Sequence, residues 1–597
     1  MKNTTGTTLC ESIAKMPTRS PDQAAYMYKK KGVWKDVSWQ DYHDQVRAMG
    51  LQFLELGIKP EDKIALMSST RWEWSVTDLA AMSVHAVVVP IYQTVTPADL
   101  EYILNNSQAR FLVLETRSMM KLFLAVREKC PSVEKIFVFE DVREEDPNFQ
   151  SWHELLKGGK SLLPQWGERW LELLNQTRAD QVATLVYTSG TTGLPKGVVL
   201  THTQIMSEVA EAFPYAGAHS GDTSLSFMPY AHVLGRIEHW GHAFIGFTLA
   251  FAESIERVRV NLVEVKPTIM VAVPRIFEKV YAAILTQIES NPIKRKMFAR
   301  ALEVGMQVSE YRTKREPLPL LLHIKYVAAQ KLVLHKVKGA FGGRLRFAIS
   351  GGAPLAREIA QFFHACEIMI LEGYGLTETT GAVTVNTPYD YEFGTIGKPI
   401  GDVEIKFGDD GELFVRSKKV MREYFKDPES TDQVLKDGWL ATGDIGERTS
   451  AGFIKITDRK KDLIKTGGGK YVAPQKIEGL LKLNPLVSQV LIHGDNKKYI
   501  VALITLDPIR LEAFAKEKGL AYQTPEDLTQ NNAILEVVRK SVAEVNSNLA
   551  SYETIKRFAV LPKDFTVESG ELTPSLKVKR KFIDQRYRNQ LEKLYGA

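Results

Sequence analysis

The sequence predicts an α/β protein with largely parallel sheets and at least two domains. Two observations carry this: short β-branched runs alternate with amphipathic stretches, and 597 residues exceed what one hydrophobic core supports. Residues 63–67 (KIALM), 86–90 (AVVVP), 110–114 (RFLVL) and 135–139 (KIFVF) read as buried strands. The amphipathic segments 72–82 and 98–105 separate them, which is the pattern of βαβ units. A second, smaller region mixes strands (500–506, 558–561) with a helix over 533–549.

Composition narrows the class. Apolar residues at 44% and charged residues at 25% are those of a soluble globular enzyme. No run approaches the ~20 apolar residues that cross a bilayer, and residues 1–15 lack the apolar core and cleavage site of a signal peptide. Cys10, Cys130 and Cys366 lie far apart, without pairing or metal-ligand spacing, which suits a reducing cytoplasm. Cys366 is expected in a helix, packed as a small apolar residue. The net charge of +6 is mild and says little about partners until its location is considered; no nucleic-acid partner is expected.

Residues 290–338 stand apart. They are strongly basic, and Leu322, Tyr326, Ala329, Val333 and Val337 recur at helical spacing, so one helix face is apolar. An amphipathic, lysine-rich helix suits an anionic membrane surface, a solvated face or a homodimer contact. Near residue 460 the polar run 457–462 precedes a glycine cluster, and the main domain boundary is placed there.

The strongest local signal is 187–198 (YTSGTTGLPKGV), which follows an apolar run. Four small hydroxyl residues and three glycines let backbone N–H groups approach an anion, and Lys196 adds charge. This suits a triphosphate. It is not a Walker loop, because no Ser or Thr follows the lysine.

With that loop, further segments in order resemble the adenylate-forming superfamily of acyl-CoA synthetases, acyl-adenylating domains and luciferases. They are 227–233 (FMPYAHV), 350–354 (SGGAP), 372–378 (EGYGLTE), 437–444 (DGWLATGD), 457–465 (TDRKKDLIK) and 571–577 (ELTPSLK). The gate-like segment 273–281 (VPRIFEKVY), the basic insertion and the joined block 437–465 are similar to the long-chain fatty acyl-CoA synthetase branch.

The resemblance implies a fold and a set of roles. It implies an N-terminal domain (1–458) with two parallel-type sheets and a distorted β-barrel, a hinge at 459–461 pivoting on Lys461, and a small mobile α+β domain (462–597). ATP, Mg²⁺ and coenzyme A are the implied cofactors and co-substrates, and a long-chain fatty acid the implied substrate. Thr188 and Glu378 would contact Mg²⁺. Ser189, Gly190, Thr191, Thr192 and Lys196 would hold phosphates. Gly351, Gly352, Ala353, Glu372, Gly373, Tyr374, Gly375, Thr377 and Ile456 would line the nucleotide site, with Asp444 and Arg459 on the ribose. His232, Gly373 and Thr377 would border the acyl group. Lys577 would serve adenylation and Lys465 thioester formation, while Gly468 and Gly469 would face coenzyme A.

Each residue also has a plainer reading. Asp444 could cap a turn, Tyr374 could pack in the core, Glu378 could be a surface carboxylate, His232 a wall histidine and Lys465 a solvated lysine. The triple glycine 467–469 departs from the family pattern at Gly467, so a looser loop is expected there. A fatty acyl-AMP ligase, a ligase for another carboxylic acid, and a silent lipid-binding protein are the competing readings. The expected location is cytoplasmic, peripheral at the inner membrane surface.

Overall fold

The structure is a computed structural model that describes residues 7–140, 149–188, 194–289, 292–573 and 577–596. The chain divides into two compact units. The first is Met1–Ala353, Glu358–Ile405 and Phe414–Ala441; the second is Pro354–Arg357, Lys406–Leu413 and Thr442–Ala597.

Two large sheets build the first unit. In the seven-stranded sheet, Lys63–Met67, Val87–Ile91, Ala109–Leu114, Lys135–Val138, Phe149–Ser151 and Val182–Thr188 run parallel, and Lys196–Thr201 closes one edge antiparallel. Ile64 and Leu66 enter one apolar cluster while Ala65 and Met67 enter another. Successive side chains of a strand point to opposite faces, so this sheet is covered on both sides, which is why its strands read as unbroken apolar runs.

The nine-stranded sheet is parallel through Thr248–Phe251, Thr223–Ser226, Ile269–Ala272, Phe347–Ser350 and Met369–Leu376. Its far edge turns antiparallel at Gly381–Val385 and Lys398–Pro399. Trp39, Trp74, Trp152 and Trp240, all almost fully buried, fill the largest cluster.

The third, five-stranded sheet corrects one expectation. Among the described residues it is open, not closed into a barrel: its outermost strands, Glu404–Phe407 and Leu435–Lys436, each have one neighbour there. Closure requires every strand to be paired on both sides.

In the second unit, Val487–His493 and Ile500–Leu506 pair antiparallel, and Ile555–Val560 joins parallel. Ile504 packs with Ile477 and Val538 on one face, while Leu503 packs with Ile583 and Leu591 on the other. Among the described residues no helix is long and apolar enough to cross a membrane.

Two local expectations also change. Cys366 lies just beyond the helix Arg357–Ala365, fully buried, and burial pushes its thiol up to about 12, so it packs as a neutral apolar group. In the insertion, Leu322, Tyr326 and Val337 are buried as the spacing predicts, but Leu334 replaces Val333 in the core. A π-helical turn over Gln330–Leu334 inserts an extra residue there and shifts the inward position by one.

Candidate active site

The strands that flank the glycine-rich segment, Val182–Thr188 and Lys196–Thr201, pair antiparallel, with Thr188 opposite Lys196. Thr188 Oγ1 donates to the Lys196 carbonyl at 3.4 Å. Ser189, Gly190, Thr191 and Thr192 lie outside the described residues. The segment 422–425 lies alongside this pair: Phe425 N–H donates to Gly197 O (2.7 Å), Arg422 N–H to Val199 O (3.1 Å), and Val199 N–H to Glu423 O (3.0 Å). That pairing brings Tyr424 and Ser430 to the lysine. Lys196 Nζ donates to Ser430 Oγ at 2.6 Å and stands 5.1 Å from the Tyr424 ring centre. Ser430 is set by the helix Pro428–Val434, whose N-cap Asp427 accepts from the Ser430 N–H at 3.0 Å.

The other end of Tyr424 meets Glu378. The strand Met369–Leu376 runs into a single turn, Thr377–Thr379, that carries Glu378. Tyr424 OH donates to Glu378 Oε1 at 2.8 Å, and Met421 N–H donates to the Glu378 carbonyl at 2.7 Å. Burial, and then the Glu378 charge, push the Tyr424 hydroxyl well above its usual range, so it remains a donor. Thr380, next but one, sits at φ +58°, a left-handed conformation costly for a β-branched residue. Its Oγ1 is tied to Lys419 O at 2.7 Å. Fully buried Lys419 lies 3.1 Å from both Glu208 and Glu211, and Glu208 accepts the Ala382 N–H at 2.9 Å. Thus a buried ion cluster holds the turn from behind.

Further predicted residues gather at the carboxyl ends of the parallel strands, where open α/β sheets bind ligands. Ser350 pairs with Glu372, which places Gly351 beside Gly373. A Cβ on Gly351 would lie 3.4 Å from Leu234 and 3.6 Å from the Gly373 carbonyl. Gly352, at φ +81°, would lie 3.7 Å from Val273, the first residue of the gate-like segment. Ala353 follows directly. Tyr374 and Thr377 are half-buried. Gly375 has a packing reason of its own, because a Cβ there would fall 1.5 Å from the Gly381 carbonyl. His232 caps the helix Val233–Ile245, its Nδ1 accepting from the Leu234 N–H at 3.1 Å. A neutral imidazole accepting at Nδ1 carries its proton on Nε2.

The second unit holds the remainder. Asp444 and Arg459 pair across an antiparallel hairpin, and Arg459 Nε lies 3.1 Å from the buried Asp444 Oδ1. Ile456 sits on the same hairpin opposite Gly446. Asp458 is also buried. Burial pushes its carboxyl up to about 7, although the Arg459 N–H and Arg580 oppose that. Lys461 and Lys577 are exposed. Lys465, also exposed, stands 5.9 Å from the Tyr471 ring in a short hairpin whose turn bears Gly468 and Gly469. That turn is bonded by Thr466 N–H to Lys470 O (2.9 Å) and Gly469 N–H to Thr466 O (2.8 Å), and a Cβ on either glycine would meet open space.

Sequence reading missed Tyr424 and Ser430. The motif 421–425 (MREYF) shows only an aromatic pair among charges; no spacing rule links Tyr424 to a glutamate 46 residues away or Ser430 to a lysine 234 residues away.

The donor set fits Mg²⁺. Thr188 and Glu378 offer a hydroxyl and a carboxylate, both hard oxygens, and Mg²⁺ commonly binds through one or two such groups plus substrate phosphates.

Residues 13–425 match the AMP-binding enzyme family, and residues 461–597 match the AMP-binding enzyme C-terminal domain. The chain is 36% identical over 579 residues to long-chain-fatty-acid–CoA ligase FadD15 of Mycobacterium tuberculosis, covering 96% of this chain and 95% of that protein. It is 31% identical over 603 residues to the peroxisomal long chain acyl-CoA synthetase 7 of Arabidopsis thaliana, covering 95% and 83%. In fold it is similar to the anthranilate CoA ligase AuaEII in complex with anthranoyl-AMP (TM-score 0.74, 19% identity, 98% of each chain). It is likewise similar to o-succinylbenzoate coenzyme A synthetase of Bacillus subtilis in complex with ATP and magnesium ion (TM-score 0.66, 18% identity, 97% and 99%). The chain belongs to the adenylate-forming, AMP-binding enzyme family, in its long-chain acyl-CoA synthetase branch.

Proposed function

We propose that this protein is a long-chain fatty acid–CoA ligase that works through an acyl-adenylate. The fatty carboxylate attacks the α-phosphorus of ATP and pyrophosphate leaves; the coenzyme A thiolate then attacks the acyl carbonyl and AMP leaves. The observation that carries the first step is the Tyr424 junction, which sets Lys196 and Glu378 on one tyrosine. Lys196 and the hydroxyls of its loop would hold the β- and γ-phosphates, and Thr188 and Glu378 would hold Mg²⁺. Bound there, Mg²⁺ neutralises phosphate charge. Gly351, Gly352, Ala353, Glu372, Gly373 and Tyr374 would bed the adenine, and Asp444 and Arg459 the ribose. His232, Gly373 and Thr377 would border the carboxylate. Lys577 would offset the charge that grows at phosphorus, while Lys465, Gly468 and Gly469 serve the thiol step. The likeness to long-chain ligases over nearly the whole chain supports the acyl and coenzyme A assignments.

Product formation with acids of graded length, with and without coenzyme A, tests this reading. Thioester from long acids supports it; release of adenylate alone would make the protein a fatty acyl-AMP ligase. The hinge is tested by half-reactions. Lys577→Ala should block adenylation yet still convert supplied acyl-adenylate, and Lys461→Pro, which restricts φ, should do the reverse.

The insertion would rest on an anionic membrane. Leu320, Leu321 and Ile324 are exposed, Leu320 by 76%, and residues 317–338 hold four lysines and no acid. Each basic residue near such a surface adds ~1 kcal/mol. Co-sedimentation with anionic vesicles at low but not high salt is expected. A salt-resistant homodimer that ignores vesicles would overturn this.

A further inference from the structure

Lys577 lies on one of two short segments of the second unit, 571–573 and 577–579, that run antiparallel. Leu572 pairs with Val578, Thr573 N–H donates to Lys577 O at 2.8 Å, and Lys579 N–H donates to Glu571 O at 2.8 Å. Lys577 N–H donates to Thr573 Oγ1 at 3.0 Å. A two-stranded pair this short is marginal by itself in water. Its direction is set at the two roots, where a largely buried charged side chain stands on each side.

The first root is Glu571, which is 2% exposed. Its Oε1 accepts from Tyr587 OH at 3.0 Å and lies 3.2 Å from Arg586 Nη1. Its Oε2 accepts from the Ser569 hydroxyl and, at 3.4 Å, from the Thr566 N–H. Burial would raise this carboxyl, but Ser569, Tyr587 and backbone N–H groups outweigh it and hold it below the ordinary range, so it stays an anion. Arg586 and Tyr587 stand where the helix Arg580–Arg586 meets the helix Arg588–Tyr595, and Arg586 Nη1 also donates to Ser569 O at 2.6 Å. Leu572, next to Glu571, enters the apolar cluster of Ile583 and Leu591 on those helices.

The second root is Arg580, three residues beyond Lys577. Its Nη2 donates to Glu478 Oε2 at 2.6 Å, its Nη1 donates to Ile492 O at 3.4 Å, and its Nε lies 4.0 Å from Asp462 Oδ2. The other oxygen of buried Glu478 accepts the Ile492 N–H at 2.8 Å. Arg580 thus ties the lysine segment to the strand Val487–His493 and to the residue that follows the expected hinge 459–461. Apolar packing alone would hold a surface segment in place, and burying charge costs desolvation; what charged hydrogen bonds add is fixed geometry. We infer that Glu571 and Arg580 are positioning residues for Lys577, holding its segment in one direction relative to the hinge and thereby setting the rate of adenylation. This rests on the proposed role of Lys577 in that step.

Both half-reactions are measured on the whole protein. Glu571→Gln keeps the shape and removes the charge. It should slow pyrophosphate release about a hundredfold, the scale of a misplaced catalytic group, with KM for Mg·ATP unchanged. It should convert supplied acyl-adenylate and coenzyme A at the wild-type rate. Its urea midpoint should hold, because the Arg586 side chain is 44% exposed and water can take the place of the lost partner. Arg580→Lys, which keeps the charge but not the fork, and Tyr587→Phe should show the same split at about tenfold. Equal loss of both half-reactions in the three variants would overturn the proposal, since Lys465 lies in the same unit and a merely structural role would affect both steps. Wild-type adenylation by Glu571→Gln would overturn it too. Amide exchange gives a readout apart from activity: Leu572 and Lys579 should exchange at least tenfold faster in Glu571→Gln, while Thr466 keeps its wild-type rate. A wild type that forms no acyl-adenylate yet shows this exchange pattern would sink the functional reading and leave the anchoring of Lys577 standing.

Discussion

Two polar networks of the first unit have similar residues and opposite exposure. Asp78, Arg236, His239, Trp240 and Thr184 are fully buried. Arg236 donates to Asp78 and to Thr184 Oγ1, and Trp240 Nε1 donates to Asp78 Oδ2 at 3.1 Å. Burial alone would raise the Asp78 carboxyl, but Arg236 and His239 outweigh it and hold it below the ordinary range. Around Tyr424, by contrast, the tyrosine is buried while Lys196 and Glu378 at its two ends are half-exposed. The first network is closed to solvent and ties the helices Trp72–Ser83 and Val233–Ile245 to the strand Val182–Thr188. The second is braced through Tyr424 and leaves both charged groups half-exposed, as the proposed phosphate and metal contacts would require.

The largest effect should come from breaking the sealed network. Asp78→Ala leaves an unpaired buried guanidinium and should cost about 3–5 kcal/mol of stability, read by urea denaturation, with KM for Mg·ATP unchanged in the folded protein. A loss under ~1 kcal/mol, the scale of an exposed pair, would erase the distinction. Glu378→Gln should do the opposite: the urea midpoint holds while pyrophosphate release slows about a hundredfold or more. Wild-type release at limiting Mg²⁺ would remove Glu378 from the site.

Tyr424→Phe sharpens the contrast, since it deletes only the brace. Loss of one hydrogen bond to a charged group should raise KM for Mg·ATP about tenfold with little change in kcat. A fall in kcat alone would mean that the tyrosine acts in the reaction rather than as a support.

The smallest effect concerns pH. Glu238, buried between Ser224 and Ser226, has its carboxyl pushed up to about 7 by burial, against the pull of the two serine hydroxyls. Its folded value lies above its ordinary 4.5. The stabilisation is therefore full below that value and lost as pH rises through about 7, because the folded state binds the extra proton. Stability should decline from pH 5 to 8 in the wild type, and Glu238→Gln should flatten the decline in urea midpoints. An unchanged slope would place the titration elsewhere.

How far the site was legible depends on how local its cause is. Lys63–Met67 and Ile500–Leu506 were readable to the residue, because an apolar β-branched run between breakers has one economical use. The strand Val182–Thr188 was legible in part, because the apolar run 183–186 precedes the glycine-rich segment. Cys366 was misplaced by one residue past its helix, as helix ends are set by packing. Val333 was placed on the apolar helix face because spacing rules assume an unbroken α-helix, and the π-helical turn breaks it, so Leu334 takes the buried position.

By itself the sequence determined the two-part α/β architecture and the parallel sheets, since these follow from patterns repeated within a few turns or strands. Only the tertiary structure decided that the third sheet stays open, that Tyr424 joins Lys196 to Glu378, and that Lys419 lies between Glu208 and Glu211 beneath the Thr380 turn. The physical reason is that these features depend on contacts between segments far apart in the chain. A lone tyrosine or lysine carries no mark of its partner until strand pairing brings the two within hydrogen-bond reach.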